Sequence, residues 1–182
     1  MALYRVEPTP QNAVNVFSAA HEPALTIDSG DTVVMRSLDA AGYLERQEFP
    51  GDIRKPKMLD GDLRGHCLNR PVAVRGAVPG DMLKVEIVSL TPDTWGWTSS
   101  PGAPGSPVPD RLGVGEADRA SLLWEIDAEA GTATANGKYT RSLAPFLGVT
   151  GVAPPGPAEK VWVSSLISSV PCWRVSARTS SR

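Results

Sequence analysis

Residues Leu25–Ser37 have the sequence LTIDSGDTVVMRS, two short apolar runs joined by a turn that contains Asp28 and Asp31. The β-branched residues of Thr32–Ser37 predict a strand. Turn chemistry alone can explain the polar residues, because Asp side chains cap their own backbone and Gly30 takes a positive φ without steric cost. The other interpretation is that the two carboxylates belong to a functional site. Both stay open at this point.

A longer strand is predicted in the stretch RPVAVRGAVPGDMLKVEIVSL. Leu83, Val85 and Ile87 alternate with their neighbours after a Pro-Gly turn. This period of two predicts that Met82–Leu90 is a strand with one buried face. Two more strands are predicted at Leu122–Asp127 and Thr132–Ala135.

Turn-forming residues are abundant, with 17 Gly and 17 Pro among 182 residues. Asn136-Gly137 is a strong signal for a two-residue hairpin. The segments at about 38–63 and 98–115 are polar or Gly/Pro-rich and predict long loops. We therefore expect a mainly β fold, either a β-sandwich or a distorted barrel with long Gly/Pro-rich loops.

Charge and cysteine content exclude several classes of protein. The formal net charge is −2, which provides no basic footprint for nucleic acid. Cys67 and Cys172 are the only cysteines, so neither a disulfide framework nor a CxxC metal knuckle is present. No apolar run approaches the length of a membrane span, and no leader pattern opens the sequence. We expect a cytoplasmic protein that binds neither nucleic acid nor membrane.

His66 is one of only two histidines and precedes a predicted strand. It is either a hydrogen-bonded structural residue or a metal ligand or general base, since neutral imidazole serves both purposes. A catalytic zinc ion needs three protein ligands, and His66 could be joined by Asp28, Asp31 or His21. Adjacent strand residues point to opposite faces, so Cys67 would not share the same ion.

Another pair of candidates is Trp95 and Trp97 in the stretch DTWGWTSS. Two residues apart on a strand, they share one face. Core packing is the favoured role, with the wall of a pocket as the alternative.

Four stretches together resemble the acetamidase/formamidase family of amide hydrolases. In order along the chain, between about residues 23 and 155, they are PALTIDSGDTVVMRSLDA, HCLNRPVAVRGAVPGDMLKVEIVSL, WGWT and APFLGVTGVAP. The resemblance implies a β-rich fold and the hydrolysis of short linear amides such as formamide or acetamide, with release of ammonia. It also implies that Asp28, Asp31 and His66 are site residues.

The resemblance suggests two mechanisms. In the first, a divalent metal ion, zinc above all, activates water; Asp31 and His66 bind or orient the metal, and Asp28 is either the general base or a residue that supports the metal ligands. In the second, a carboxylate is the base and backbone N–H groups stabilise the oxyanion. The implied partner is a small amide, and a homo-oligomer is a further expectation. Arg70 stands where the similar family segment has Gly, which puts the local turn in question because Arg does not tolerate positive φ as Gly does.

The similarity ends near residue 163. We therefore expect residues 1–163 to form an incomplete acetamidase/formamidase-like β domain and residues 164–182 to be a poorly packed tail. Cys172 and Trp173 of that tail should then be unusually exposed.

Activity has three interpretations at this stage: a working amide hydrolase, a truncated and inactive family member, or a β-sandwich binding module without catalysis. Because only the N-terminal part of the implied site is present, we expect the isolated chain to hydrolyse little or no amide.

Overall fold

The structure is a computed structural model that describes residues 1–40, 42, 43, 46, 66–100, 111, 120–147, 149–154, 161–162 and 168–180, with the backbone alone for 99–100, 120, 161–162 and 168–180. The strands in this part of the chain are β1 (Leu3–Val6), β2 (Ala13–Val14), β3 (Val16–Phe17), β4 (Leu25–Ile27), β5 (Thr32–Arg36), β6 (Leu68–Asn69), β7 (Val72–Val74), β8 (Met82–Ser100), β9 (Ala120–Asp127), β10 (Thr132–Ala135), β11 (Tyr139–Ser142), β12 (Val161–Trp162) and β13 (Ser168–Ser180).

Seven of these strands form one sheet in the order β1-β5-β13-β8-β9-β10-β11. β1 and β5 are parallel, and all the other neighbours in this sheet are antiparallel. Three small two-stranded sheets accompany it: β4 with β7, β2 with β6, and β3 with β12. The predicted mainly β fold is confirmed.

The main described core lies between the β1–β5 edge of the large sheet and the parallel β4–β7 pair. Val6, Ile27 and Val33 are its buried centre. The partly buried residues packed around them are Tyr4, Ala24, Leu25, Met35, Val72 and Val74. Apolar side chains from two sheets thus share one interior, as in a β-sandwich.

The predicted strands agree with the observed ones in position. β5 and β10 match Thr32–Ser37 and Thr132–Ala135 within one residue, and β9 contains Leu122–Asp127. Met82–Leu90 is the first half of β8.

The loop predicted at 98–115 is wrong at its start, because 98–100 extend β8 and pair with β9. Apart from residue 111, the rest of that loop lies outside the described residues, as does most of 38–63.

The predicted buried face of Met82–Leu90 is wrong. Leu83, Val85 and Ile87 are 41%, 38% and 42% exposed. The physical reason is that a strand face is buried only where a second layer packs over it, and neither described core cluster includes these three residues.

The backbone of the predicted poorly packed tail takes part in the large sheet over residues 168–180. β13 pairs with β5 on one side and with β8 on the other. Sheet pairing uses main-chain N–H and C=O groups, which nearly every residue supplies whatever its side chain. Pro171 lies at an irregularity in the β13–β8 register, where its missing N–H is tolerated. The side chains of Cys172 and Trp173 lie outside the described residues, so their exposure and the division at residue 163 stay predictions.

Within the described part of the chain, no helix is long and apolar enough to span a bilayer.

The β10–β11 hairpin provides a test of turn chemistry. Asn136 and Gly137 have φ values of 54° and 61°, as the Asn-Gly signal predicts. We expect Gly137→Ala to lower the free energy of unfolding by about 1 kcal/mol, because a Cβ is strained in the left-handed region. Urea denaturation measures this. The control is Glu129→Ala, at an exposed turn residue whose φ is not positive; equal effects of the two substitutions would contradict the prediction.

Candidate active site

Asp31 is a buried carboxylate, and both of its oxygens accept hydrogen bonds from the backbone. Oδ1 accepts from the N–H of Ala2 at 2.6 Å, and Oδ2 accepts from the N–H of Asp28 at 3.0 Å. The N–H of Thr32 donates to the carbonyl of Ala2 at 2.9 Å, where the β1–β5 pair begins. These contacts close the β4–β5 turn and hold β1 against β5.

The same contacts lower the pKa of Asp31 below its ordinary value of 3.8. The hydrogen bond from Ala2 has the largest effect and the bond from Asp28 follows, because both stabilise the ionised form. Burial of the carboxyl group opposes them.

Asp28, in contrast, is exposed. Its Oδ1 accepts from Nε of Arg75 at 2.9 Å, and both side chains are mostly in solvent. The N–H of Arg75 also donates to the carbonyl of Ile27 at 2.7 Å. Asp28 therefore ties the β4–β5 turn to the end of β7. An exposed ion pair of this kind contributes roughly 0–1 kcal/mol to stability.

His66 lies toward the other end of β5. The N–H of the next residue, Cys67, donates to the carbonyl of Ala40 at 2.8 Å, four residues after β5 ends. Asp31 directly precedes β5, and a five-residue strand spans about 13 Å at 3.3 Å per residue. A metal ion shared by Asp31 and His66 would need the two side chains close together, whereas the backbone places β5 between Asp31 and the Ala40–Cys67 hydrogen bond. The catalytic roles implied for Asp28, Asp31 and His66 stay predictions.

A second buried carboxylate, Asp39, lies at the end of β5 that His66 approaches. Asp39 is 1% exposed. Its Oδ1 accepts from the N–H of Tyr43 and its Oδ2 from the indole Nε1 of Trp97, each at 2.6 Å. Tyr43 and Trp95 are also buried, and Trp97 packs against them. We call Asp39, Tyr43, Trp95 and Trp97 the Asp39 cluster.

The Asp39 cluster and His66 are joined through the backbone. Asp39 and His66 each lie one residue from the hydrogen bond between Ala40 and Cys67. A second link runs nearby, since the side-chain amide of Asn69 donates to Oγ of Ser37 at 2.9 Å. The end of β5 thus brings together the buried Asp39 carboxylate, the aromatic side chains of its cluster and the backbone next to His66.

Sequence reasoning missed Asp39, although the residue is the second to last of the stretch PALTIDSGDTVVMRSLDA. The signal available was a single acidic residue after a strand and three residues before Gly42. Its partner Trp97 is 58 residues away, and nothing in the spacing connects the two. The core role favoured for the Trp pair agrees with the structure, since Trp95 is buried and Trp97 packs against it; a role in a pocket wall stays a prediction.

The metal expectation finds no support in the described part of the chain. There, no three His, Cys, Asp or Glu side chains lie close enough to hold an ion, and Asp31 uses both oxygens on backbone N–H groups. The described residues around Asp31 therefore do not form a three-ligand zinc site. A metal role for His66 with ligands outside the described residues stays a prediction.

Arg70 fits its position in spite of the Gly expected there. Among the described non-glycine residues, only Asn136 has a positive φ. The N–H of Arg70 donates to the carbonyl of Asn12 at 2.9 Å, beside the β2–β6 pair. The local backbone therefore needs no residue in the left-handed region.

Comparison with known proteins agrees with this architecture. The sequence profile of the Acetamidase/Formamidase family matches residues 5–165. The chain belongs to the acetamidase/formamidase family. A formamidase-type protein of Schizosaccharomyces pombe is 34% identical over 79 residues, which are 41% of this chain and 18% of that protein. The chain therefore matches less than a fifth of the length of this curated relative.

Solved structures of the family share the fold. The acetamidase of Bacillus halodurans superposes with a TM-score of 0.69 and 18% identity, over 96% of this chain and 70% of its own. An acetamidase/formamidase-type protein of Thermoanaerobacter tengcongensis also gives 0.69 and 18%, over 98% and 70%. At this identity the likeness establishes the fold alone.

The pKa of Asp31 predicts a pH dependence of stability. A folded-state pKa below the unfolded value means that the stabilisation is present above about pH 4 and is lost as the pH falls through the folded-state pKa. We expect Asp31→Asn to lower the urea midpoint at pH 7, and the difference from the wild type to shrink as the pH is lowered into the acid range. Asp28→Asn, which removes an exposed pair, should change little at either pH. A deficit of Asp31→Asn that does not vary with pH would contradict the assigned cause.

The indole of Trp97 offers a second test. Trp97→Phe leaves a buried oxygen of Asp39 without its donor, and we expect a loss of about 1–3 kcal/mol in the free energy of unfolding. Trp124→Phe is the matched control, because it removes a Trp Nε1 bond to Oγ of Thr98 on the exposed face of the same sheet. We expect that control to lose less than about 1 kcal/mol. Similar losses in both variants would contradict the expectation that the hydrogen bond to buried Asp39 contributes more stability than the exposed one to Thr98.

Proposed function

We propose that this protein hydrolyses the C–N bond of short linear amides such as formamide and acetamide and releases ammonia. The observation that carries the proposal is the family match over residues 5–165, together with a buried carboxylate and an aromatic wall beside the His66 segment. The cytoplasmic location expected from the sequence is part of the same proposal.

We place the site at the end of β5 that carries Asp39. The Asp39 carboxylate is held by two short hydrogen bonds, so its position is fixed before substrate arrives. A carboxylate offers about four acceptor positions and can therefore take a further donor, such as an imidazole N–H. In this proposal Asp39 is a positioning residue that orients His66, and Trp95 and Trp97 supply the apolar wall.

His66 is the group that moves protons in this scheme. Neutral imidazole takes a proton from water as the water oxygen adds to the amide carbon. The same proton then goes to the nitrogen as the C–N bond breaks, so that ammonia leaves and a carboxylic acid remains. Backbone N–H groups are the candidates for stabilising the oxyanion between these steps.

An ammonia assay with formamide and acetamide tests the proposal. We expect release by the wild-type chain, reduced about 10²–10⁴-fold in His66→Ala because the general base is lost. Asp39→Asn should mainly reduce kcat and alter its pH profile, while its KM changes less, because Asp39 acts through His66. The surface control is Asp127→Asn, which removes an exposed turn contact to Ala130.

Asp31→Asn discriminates between the two ends of β5. If the chemistry lies at Asp39, folded Asp31→Asn keeps its activity, whereas a site at Asp31 would lose it. Circular dichroism and the urea midpoint identify variants that have merely unfolded. A folded wild-type chain that releases no ammonia would contradict the proposal and support the expectation of little or no activity drawn from the sequence.

A further inference from the structure

The first half of β8, Met82–Leu90, has an unpaired edge among the described strands. On one side it is hydrogen-bonded to β13. On the other side β9 begins its pairing only at Trp95. An edge with a row of unpaired N–H and C=O groups is a template for another strand, and proteins commonly protect such edges with charges, Pro or a covering segment.

This edge is apolar as well as unpaired. Leu83, Val85 and Ile87 are exposed on one face of the strand, and Met82 and Val88 are 72% and 49% exposed. Lys84 and Glu86 lie on the face opposite Leu83, Val85 and Ile87, and no ion pair to either is seen among the described residues. Apolar side chains and one charge of each sign therefore face solvent together.

We infer that two copies of the chain pair antiparallel through this edge, about a two-fold axis that passes beside Val85. In that register Lys84 of each copy lies opposite Glu86 of the other. Leu83 lies opposite Ile87, and Val85 lies opposite its own counterpart. Directly opposite side chains in an antiparallel pair are close neighbours, so opposite charges and apolar groups meet their complements.

The charge pattern selects this register over its neighbours. Moving the axis by one residue, to Lys84 or to Glu86, places that charged residue opposite its own copy, which is repulsive. A two-fold axis beside Val85 also places Leu83, Val85 and Ile87 of one copy opposite the same three residues of the other. Strand register is strongly specified where such a pattern exists.

The interface closes on itself. A two-fold contact uses the same patch on both copies, so it produces a dimer and leaves no further edge of this kind for growth. The large sheets of the two copies become one continuous sheet through β8. The second copy, in this arrangement, covers the apolar edge that the described fold leaves open.

Charge exchange at the interface tests the dimer. Sedimentation velocity should show a dimer for the wild type. Lys84→Glu and Glu86→Lys each create two like-charge oppositions, and each should weaken the dimer at least about tenfold. The double variant Lys84→Glu/Glu86→Lys restores both pairs and should restore the dimer. Lys138→Glu, at the exposed β10–β11 turn, is the control for net charge and should leave the dimer unchanged.

Crosslinking tests the register without relying on charge. Val85→Cys should form a disulfide-linked dimer on oxidation, because Val85 faces its own counterpart. Leu83→Cys and Ile87→Cys should crosslink poorly alone and well when mixed, since each faces the other. Oxidation of the wild type measures how much disulfide-linked dimer Cys67 and Cys172 form by themselves.

Three results would overturn the inference. They are a monomeric wild type at the highest soluble concentration, a dimer that neither single charge variant weakens, and an assembly that grows beyond two copies. A monomer would leave the edge to a different partner.

Discussion

The carboxylate of Asp31 joins three parts of the chain that local structure alone would leave apart. It accepts the N–H groups of Ala2 and Asp28, and so holds β1, the β4–β5 turn and the start of β5 together. The parallel β1–β5 pair and the core of Val6 and Val33 depend on that arrangement. A buried carboxylate is costly unless its oxygens are satisfied, and here two backbone donors provide that compensation.

A second buried carboxylate with two hydrogen-bond donors, Asp39, lies at the far end of β5, and its donors come from different parts of the chain. Asp39 also accepts two short hydrogen bonds, but one donor is the indole of Trp97 on a distant strand. Asp31 thus stabilises a local turn together with β1, while Asp39 joins the segment after β5 to Trp97 of β8. The Asp39 carboxylate is held by one backbone N–H close in sequence and by one side chain on a distant strand, so its position depends on the tertiary fold.

β8 shows how one strand can serve two environments. Its second half lies between β13 and β9 and carries Trp95 into the buried cluster. Its first half keeps an alternating apolar pattern without a described layer to bury it. Leu83, Val85 and Ile87 do alternate with their neighbours. An alternating pattern predicts which face of a strand is apolar, but it does not show that another part of the chain packs against that face. The proposed second copy pairs with the open edge of this half and brings a matching row of apolar side chains beside it.

The sequence by itself determined β5, the first half of β8, β9, β10, the Asn136-Gly137 hairpin and the family, because period-two patterns, turn residues and short motifs are local properties. The sequence also singled out Asp31, as a turn residue or a site residue. The structure shows that it accepts hydrogen bonds from two backbone N–H groups. Only the tertiary structure decided that β13 lies between β5 and β8, that Asp39 meets Trp97, and that Asp31 and His66 lie toward opposite ends of one strand. These outcomes depend on contacts between residues far apart in the chain, such as the 58 residues between Asp39 and Trp97. Local preference does not encode such contacts, because the burial and hydrogen bonding that select them exist only once the whole sheet has formed.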